Sequence, residues 1–231
     1  MIHDFVSSRI FLLALTVGCY VAGVAVYRRT RIALLHPVLL SVVALISLLH
    51  AAGVEYGSYA EATELFSLLL NMSVVALGYL LWEQVEMLRA HALSILVTVV
   101  VGSLVGIGSV VGIVYIMGAD EIIAASLAPK SVTAPIAVAV VEPFGGIKAI
   151  TSVVVIAVGI FGSIIAPRML DRLGIADPVA RGLAMGSAAH GIGTARAIEI
   201  GAVEGAASGL AMGLMGLVTA LLVPLLSDLL F

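Results

Sequence analysis

Residues 122–141, IIAASLAPKSVTAPIAVAVV, form an apolar segment as long as a membrane span, yet the segment contains Pro129, Lys130 and Pro135. A helix needs about 20 apolar residues to cross the hydrocarbon core of a bilayer. Proline removes a backbone donor and clashes with the preceding turn. Such breaks are tolerated at membrane depth only where protein or a water-filled cavity satisfies the freed backbone groups. The segment therefore predicts a broken or re-entrant helix in a membrane protein.

The rest of the chain is equally apolar. Of its 231 residues, 62% are hydrophobic and 11% are charged, whereas a soluble domain carries roughly a quarter charged residues. This composition excludes a soluble globular protein, and no basic patch points to nucleic acid. We predict an all-α, multi-pass protein of the cell membrane. A single transmembrane domain would cover residues 1–231, with about 6–8 membrane segments, two of them broken or re-entrant helices around 122–141 and 182–200.

A second interrupted segment lies at residues 182–200, GLAMGSAAHGIGTARAIEI. It is apolar at both ends but carries polar residues and glycines in the middle. Gly191 and Gly193 flank a single isoleucine directly after His190. Because glycine is unfavourable inside a helix, we predict a second broken or re-entrant helix here.

The arginines bear on whether the first segment crosses the membrane. Basic residues accumulate in cytoplasmic loops, so the arginine-rich stretch 28–31 predicts a cytoplasmic loop after the first apolar run. With that orientation, three further arginines lie on the cytoplasmic side only if the segment 122–141 enters the membrane and returns. They are Arg168, Arg172 and Arg181. The rule therefore favours re-entry.

Lys130 is the most informative polar residue. A lysine at the centre of a membrane helix costs at least about 2.5–3.5 kcal/mol, so it needs a compensating partner. One interpretation is an anion site, with charge from Lys130 and hydrogen bonds from Ser131, Thr133 and the backbone groups freed near the prolines. The alternative is a lysine that reaches the interface, or an ion pair that only holds helices together.

The second segment offers a further set of polar residues. His190 and Thr194 are four residues apart and would share one face of a helix. Arg196 and Glu199 are three apart, so they can pair, in which case the arginine is structural. Otherwise Arg196 can hold a carboxylate through two hydrogen bonds. For His190, a packing or hydrogen-bonding role and a direct functional role both stay open.

Other kinds of chemistry have little support in the sequence. The histidines are scattered, there is one cysteine, and neither HExxH nor CxxC occurs. No phosphate loop or dinucleotide fingerprint is present. We therefore expect neither a metal site, nor a cofactor, nor an enzymatic activity.

Three stretches carry a resemblance to a known family. These are LAPKSVTAPIAVAVVE at 127–142, DPVARGLAMGSAAHGIGTARAIEIG at 177–201 and EGAASGLAMGLMGLVTALLVPLL at 204–226. Together they resemble the signatures of the LrgB/CidB-like membrane proteins, and the likeness covers nearly all of the chain. The positions that match the family's motifs are Pro129, Lys130, Ser131, Thr133, Pro135, His190, Gly191, Gly193, Thr194, Arg196 and Glu199.

The resemblance implies two functions from different classes. One is a membrane transporter or carrier subunit for small monocarboxylates such as pyruvate, glycolate and glycerate. The other is a holin-like regulator of murein hydrolase export and autolysis, which acts by oligomerising and permeabilising the membrane. The resemblance also implies a small LrgA/CidA-like membrane partner, and we expect a homo-oligomer in the lipid bilayer.

For the carrier, we expect the substrate to bind near the membrane midplane, between the two broken segments. Lys130 and Arg196 would supply charge, and His190 would couple transport to a proton. Hydrogen bonds and close backbone approach would come from Ser131, Thr133, Gly191, Gly193 and Thr194. A structural role would fall to Pro129 and Pro135, and to Glu199 through its ion pair with Arg196.

Overall fold

A computed structural model describes residues 8–30, 32, 35–69, 72, 79, 82, 85–90 and 92–230. These residues are helical almost throughout, and none of them lies in a β-strand, as an all-α membrane protein requires. The chain divides into two compact units, residues 1–73 and residues 74–231, and each is described by itself. That the whole chain forms one domain stays a prediction.

The first unit is built on a long helix α1, Arg9–Thr30, that packs against helix α2, Pro37–Ala52. The approach is close at Gly23, where a Cβ atom would lie 2.8 Å from the carbonyl oxygen of Pro37. The short helix α3, Tyr56–Ala62, follows α2 at an angle of 117°. The turn between them begins at Gly53, whose φ of 66° is readily adopted only by glycine.

The second unit contains the two interrupted segments. Its helices are α4 (Val85–Ala90), α5 (Ala92–Ile116), α6 (Glu121–Leu127), α7 (Ala134–Val141), α8 (Lys148–Arg172), α9 (Pro178–Ile200) and α10 (Ala202–Leu230), and a 3₁₀ turn, Glu142–Phe144, follows α7.

Among the described residues, four helices are long and apolar enough to cross a membrane: α1, α5, α8 and α10. The number rises to five if α2 and α3 together form one bent span. The predicted count of about 6–8 membrane segments is larger than these four or five spans, because it also included the two interrupted segments at 122–141 and 182–200. The predicted span at 62–82 falls largely outside the described residues.

The first interrupted segment turns back on itself, as a re-entrant segment would. It consists of α6 and α7, separated by a first tip at residues 128–133. After α7 the chain comes back beside α6, because the backbone N–H of Ile147 donates to Ser126 Oγ at 2.7 Å. Helix α8 then passes the tip, with Val155 in the same core cluster as Val132. Both ends of the segment therefore lie on one side of the tip, so the segment is re-entrant.

The second interrupted segment is one helix, α9, bent sharply at Ala189 and His190. His190 has a φ of 40°. The two legs of α9, residues 178–188 and 191–200, both contact the beginning of α10. Gly182 packs against the backbone of Glu204, and Ile198 packs against Gly205. Residues 182 and 198 would be about 24 Å apart in a straight helix, so α9 also reverses direction. Its bend is the second tip, residues 187–191.

The two re-entrant segments enter from opposite sides. The first follows the end of α5, and α8 runs back past it. The second follows the end of α8. The unit therefore repeats a span followed by a re-entrant segment, and the second copy is inverted relative to the first. Such inverted repeats recur in membrane transporters. Arg168, Arg172 and Arg181 lie at the base of the second segment, which the positive-inside rule assigns to the cytoplasm.

Candidate functional site

The two tips meet on one face of α5. The first tip approaches α5 at Gly106, where a Cβ atom would lie 3.5 Å from Ser131 Oγ. The second tip approaches α5 at Gly102, where a Cβ atom would lie 4.0 Å from Ser187 Cβ. Residues four apart are neighbours on a helix surface. These glycines are the eleventh and fifteenth of the 25 residues of α5. The tips therefore lie at the middle of a helix long enough to span the membrane.

Helix α8 holds both tips as well. Val155 packs in a core cluster with Val132 of the first tip. The carbonyl oxygen of the same Val155 lies 2.9 Å from His190 Nε2 of the second tip. The two interrupted segments therefore converge between α5 and α8.

Lys130 supplies the positive charge at this junction. Its ammonium group donates a hydrogen bond to Ser131 Oγ at 3.0 Å, and the ion pairs found in the described part of the chain do not include Lys130. Lys148, by contrast, pairs with Glu142 in an exposed position. The alternative in which Lys130 serves an ion pair between helices is therefore not supported among the described residues.

Two buried hydroxyl groups accompany this charge. Thr133 Oγ1 on the first tip and Ser187 Oγ on the second tip are buried without a hydrogen-bond partner among the described residues. An unsatisfied buried hydroxyl costs about 1–3 kcal/mol. Ser187 is only 8% exposed. Nothing in the sequence singles out Ser187, because a serine among alanines and glycines in a membrane helix carries no signal of its own.

His190 and Thr194 are occupied in holding the bend. The imidazole of His190 fills the space beside Gly159, where a Cβ atom would lie 2.6 Å from its Cε1. Thr194 Oγ1 donates to the carbonyl oxygen of His190 and lies 2.9 Å from Ser208 Oγ. The geometry thus favours the packing role that the sequence left open for His190. A contact of Thr194 with a substrate stays a prediction.

The glycines and prolines of the two motifs shape the tips. A Cβ atom on Gly193 would lie 2.7 Å from the carbonyl oxygen of Met185 on the other leg of α9. Gly191 faces Met212 Sδ on α10. Pro129 is fully buried in the first tip, and Pro135 occupies the first turn of α7, where its missing N–H is not needed.

Arg196 is not at the junction. Its guanidinium donates to Glu199 at 2.6 Å, and both side chains are 45% exposed. Arg196 also lies six residues beyond the bend, toward the base of the second segment. The structure thus forms the pair between Arg196 and Glu199, the alternative in which the arginine is structural. A contact of Arg196 with a substrate stays a prediction.

The chain is similar in sequence to a known protein family and to several of its members. The model of the LrgB-like family matches residues 16–229. The uncharacterized protein YxaC of Bacillus subtilis is 33% identical over 94% of both chains. The holin-like protein CidB of Staphylococcus epidermidis is 29% identical over 94% of this chain and 95% of its own. No solved structure matches the chain. With the family model covering nearly the whole sequence, this multi-pass membrane protein belongs to the LrgB-like family.

Proposed function

We propose that this chain is a holin-like protein that controls the permeability of the cell membrane, as a regulator of murein hydrolase export and autolysis. The observation that carries the proposal is the match, over nearly the full length of both chains, to relatives named holin-like protein CidB. In this proposal the chain acts as an oligomer, with a small LrgA/CidA-like membrane partner.

The geometry of the second unit is compatible with this proposal. Two interrupted segments bring a lysine and several hydroxyl groups to the middle depth of a span-length helix. Polar side chains at that depth are costly in a membrane and mark solute or ion pathways. The route that such a protein opens would run along the junction of the two tips.

One specific observation favours a second candidate, a selective carrier for small monocarboxylates. Lys130 places a cation at the junction with a hydroxyl ligand but no ion pair among the described residues. A small anion would supply the missing charge. The inverted order of spans and re-entrant segments is also the arrangement in which transporters place a substrate site at the midplane.

One reconstitution experiment separates the two candidates. Purified protein, with and without the LrgA/CidA-like partner, is placed in liposomes that contain carboxyfluorescein. Dye release and uptake of labelled pyruvate, glycolate and glycerate are measured in parallel. Dye release that grows with the amount of protein, without saturable uptake, supports the holin-like function. Saturable uptake without dye release supports the carrier.

A pair of lysine variants sharpens this distinction. Lys130→Met removes the charge at the junction, and Lys148→Met removes an exposed lysine of the same chain as the matched control. The carrier requires that only Lys130→Met abolishes uptake. Uptake that is equal in both variants would exclude an anion site at Lys130. If neither dye release nor uptake occurs in any preparation, both candidates are wrong.

A further inference from the structure

We infer that the C-terminal end of α8 binds an anionic phospholipid. The phosphate of the headgroup lies between Arg168 and Arg172, and an acyl chain runs along the apolar face of α8 toward the middle of the helix. The inference goes beyond both candidate functions and depends on neither of them, because it concerns the surface of α8 that the second unit leaves exposed.

The two arginines share one face of α8. They are four residues apart, so their side chains leave the helix one turn apart on the same side, and both are exposed. The ion pairs found in the described part of the chain include neither Arg168 nor Arg172. Guanidinium groups at this spacing can both donate hydrogen bonds to the oxygens of one phosphate.

The carboxylates that follow in the sequence are already engaged. Asp171 lies between the two arginines in the chain, but it accepts a hydrogen bond at 2.7 Å from Arg181. The carboxylate of Asp177 caps the beginning of α9. These two carboxylates therefore do not balance the charge of Arg168 and Arg172, and an anion from outside the chain can do so.

The same face of α8 is apolar toward the middle of the helix. Phe161 and Ile165 are exposed there. The members of this face, in order toward the end of α8, are Phe161, Ile165, Arg168 and Arg172. Their spacing of three or four residues keeps them on one side of a helix. The residues that α8 buries lie on the other side, among them Gly159, Ala166 and Leu170.

This order of groups fits a phospholipid better than a free anion. The apolar side chains complement an acyl chain, and the arginines complement the phosphate at its end. Basic residues beside the cytoplasmic end of a membrane helix attract anionic lipids, and the positive-inside rule places this end of α8 on the cytoplasmic side. A zwitterionic lipid offers the same acyl chains, but its own cation competes with the arginines for the phosphate. The site therefore prefers an anionic headgroup.

The experiment measures lipid contact at Phe161 itself. In a Trp82→Phe background, Phe161→Trp places the only tryptophan of the chain on this face. The full chain is reconstituted in mixtures of phosphatidylglycerol and phosphatidylcholine, of which one or the other carries brominated acyl chains that quench tryptophan fluorescence on contact. Brominated phosphatidylglycerol should quench more strongly, with a relative affinity roughly fivefold higher than that of phosphatidylcholine.

Paired charge variants test whether the arginines hold the headgroup. Arg168→Gln together with Arg172→Gln should remove the preference for phosphatidylglycerol. The matched control is Arg28→Gln together with Arg29→Gln, which removes the same charge from the end of α1 and should keep the preference. All four arginines are exposed, so both double variants should melt like the unaltered protein. Glycerol 3-phosphate should not displace the lipid, because it lacks acyl chains.

Several outcomes would overturn the inference. Equal quenching by the two brominated lipids would do so, and so would a preference that survives in Arg168→Gln with Arg172→Gln. A preference that the control pair also loses would depend on the total charge of the chain rather than on this face. Displacement by glycerol 3-phosphate, under conditions where sodium chloride of equal ionic strength has no effect, would assign the arginines to a free phosphate-containing anion instead of a lipid.

Discussion

His190 Nε2 lies 2.9 Å from the carbonyl oxygen of Val155, and the side chain of Val155 packs in one core cluster with Val132. One position of α8 therefore bonds to the second tip through its carbonyl oxygen, while its side chain belongs to a core cluster that also contains Val132 of the first tip. The histidine adopts a φ of 40° at the bend, a value that is uncommon for residues other than glycine. The contact with α8 offsets the cost of this backbone conformation.

The first prediction concerns this contact. His190→Ala removes a buried hydrogen bond and leaves a space beside Gly159, so it should lower the free energy of unfolding by about 1–3 kcal/mol. Thermal melting of the purified protein in detergent measures the change. The control is His50→Ala, at an exposed position of α2, which should melt like the unaltered protein. Equal melting of both variants would show that the bend is held by other contacts.

The second prediction concerns the packing of α9 on α10. A Cβ atom on Gly186 would collide with the backbone of Ser208, whereas a Cβ atom on Gly108 of α5 would have nothing within 4 Å. Gly186→Ala should therefore lower the melting temperature, because backbone atoms would have to move. Gly108→Ala should leave it unchanged or raise it, since alanine is favoured over glycine in a helix by about 1 kcal/mol. A melting temperature for Gly186→Ala at or above that of Gly108→Ala would contradict the close approach.

The third prediction separates Arg196 from Lys130. An exposed ion pair contributes about 0–1 kcal/mol, so Arg196→Ala should change neither the melting temperature nor the liposome activity by much. Lys130→Met should abolish carrier activity if the chain is a carrier. Both variants are compared in the same preparation for melting, dye release and pyruvate uptake. If Arg196→Ala lost function as completely as Lys130→Met, Arg196 would be part of the functional site.

The fourth prediction concerns the re-entry of the first segment. In a Cys19→Ala background, Asp120→Cys and Lys148→Cys should react with a membrane-impermeant maleimide from the same side of the membrane, because both ends of the segment lie on one side of its tip. Arg172→Cys, at the far end of α8, should react from the opposite side. Labelling of Asp120→Cys and Lys148→Cys from opposite faces would mean that the segment crosses.

Some of this architecture follows from composition alone. The apolar runs and the scarcity of charge predict membrane helices, because so few polar side chains cannot cover a surface in water. The prolines around Lys130 and the glycines around His190 predict the two interruptions, because they act on the backbone locally. The number of full spans does not follow from composition, since an apolar segment of sufficient length can either cross the membrane or return.

The sequence by itself determined that this chain lies in a membrane, where its helices are interrupted, and that Lys130 needs a partner there. Only the tertiary structure decided that both interrupted segments turn back, that their tips meet on Gly102 and Gly106, and that Ser187 joins the junction while Arg196 does not. The physical reason is the range of the forces involved. Backbone breaks and desolvation act within a few residues, whereas the meeting of two tips depends on how distant helices pack.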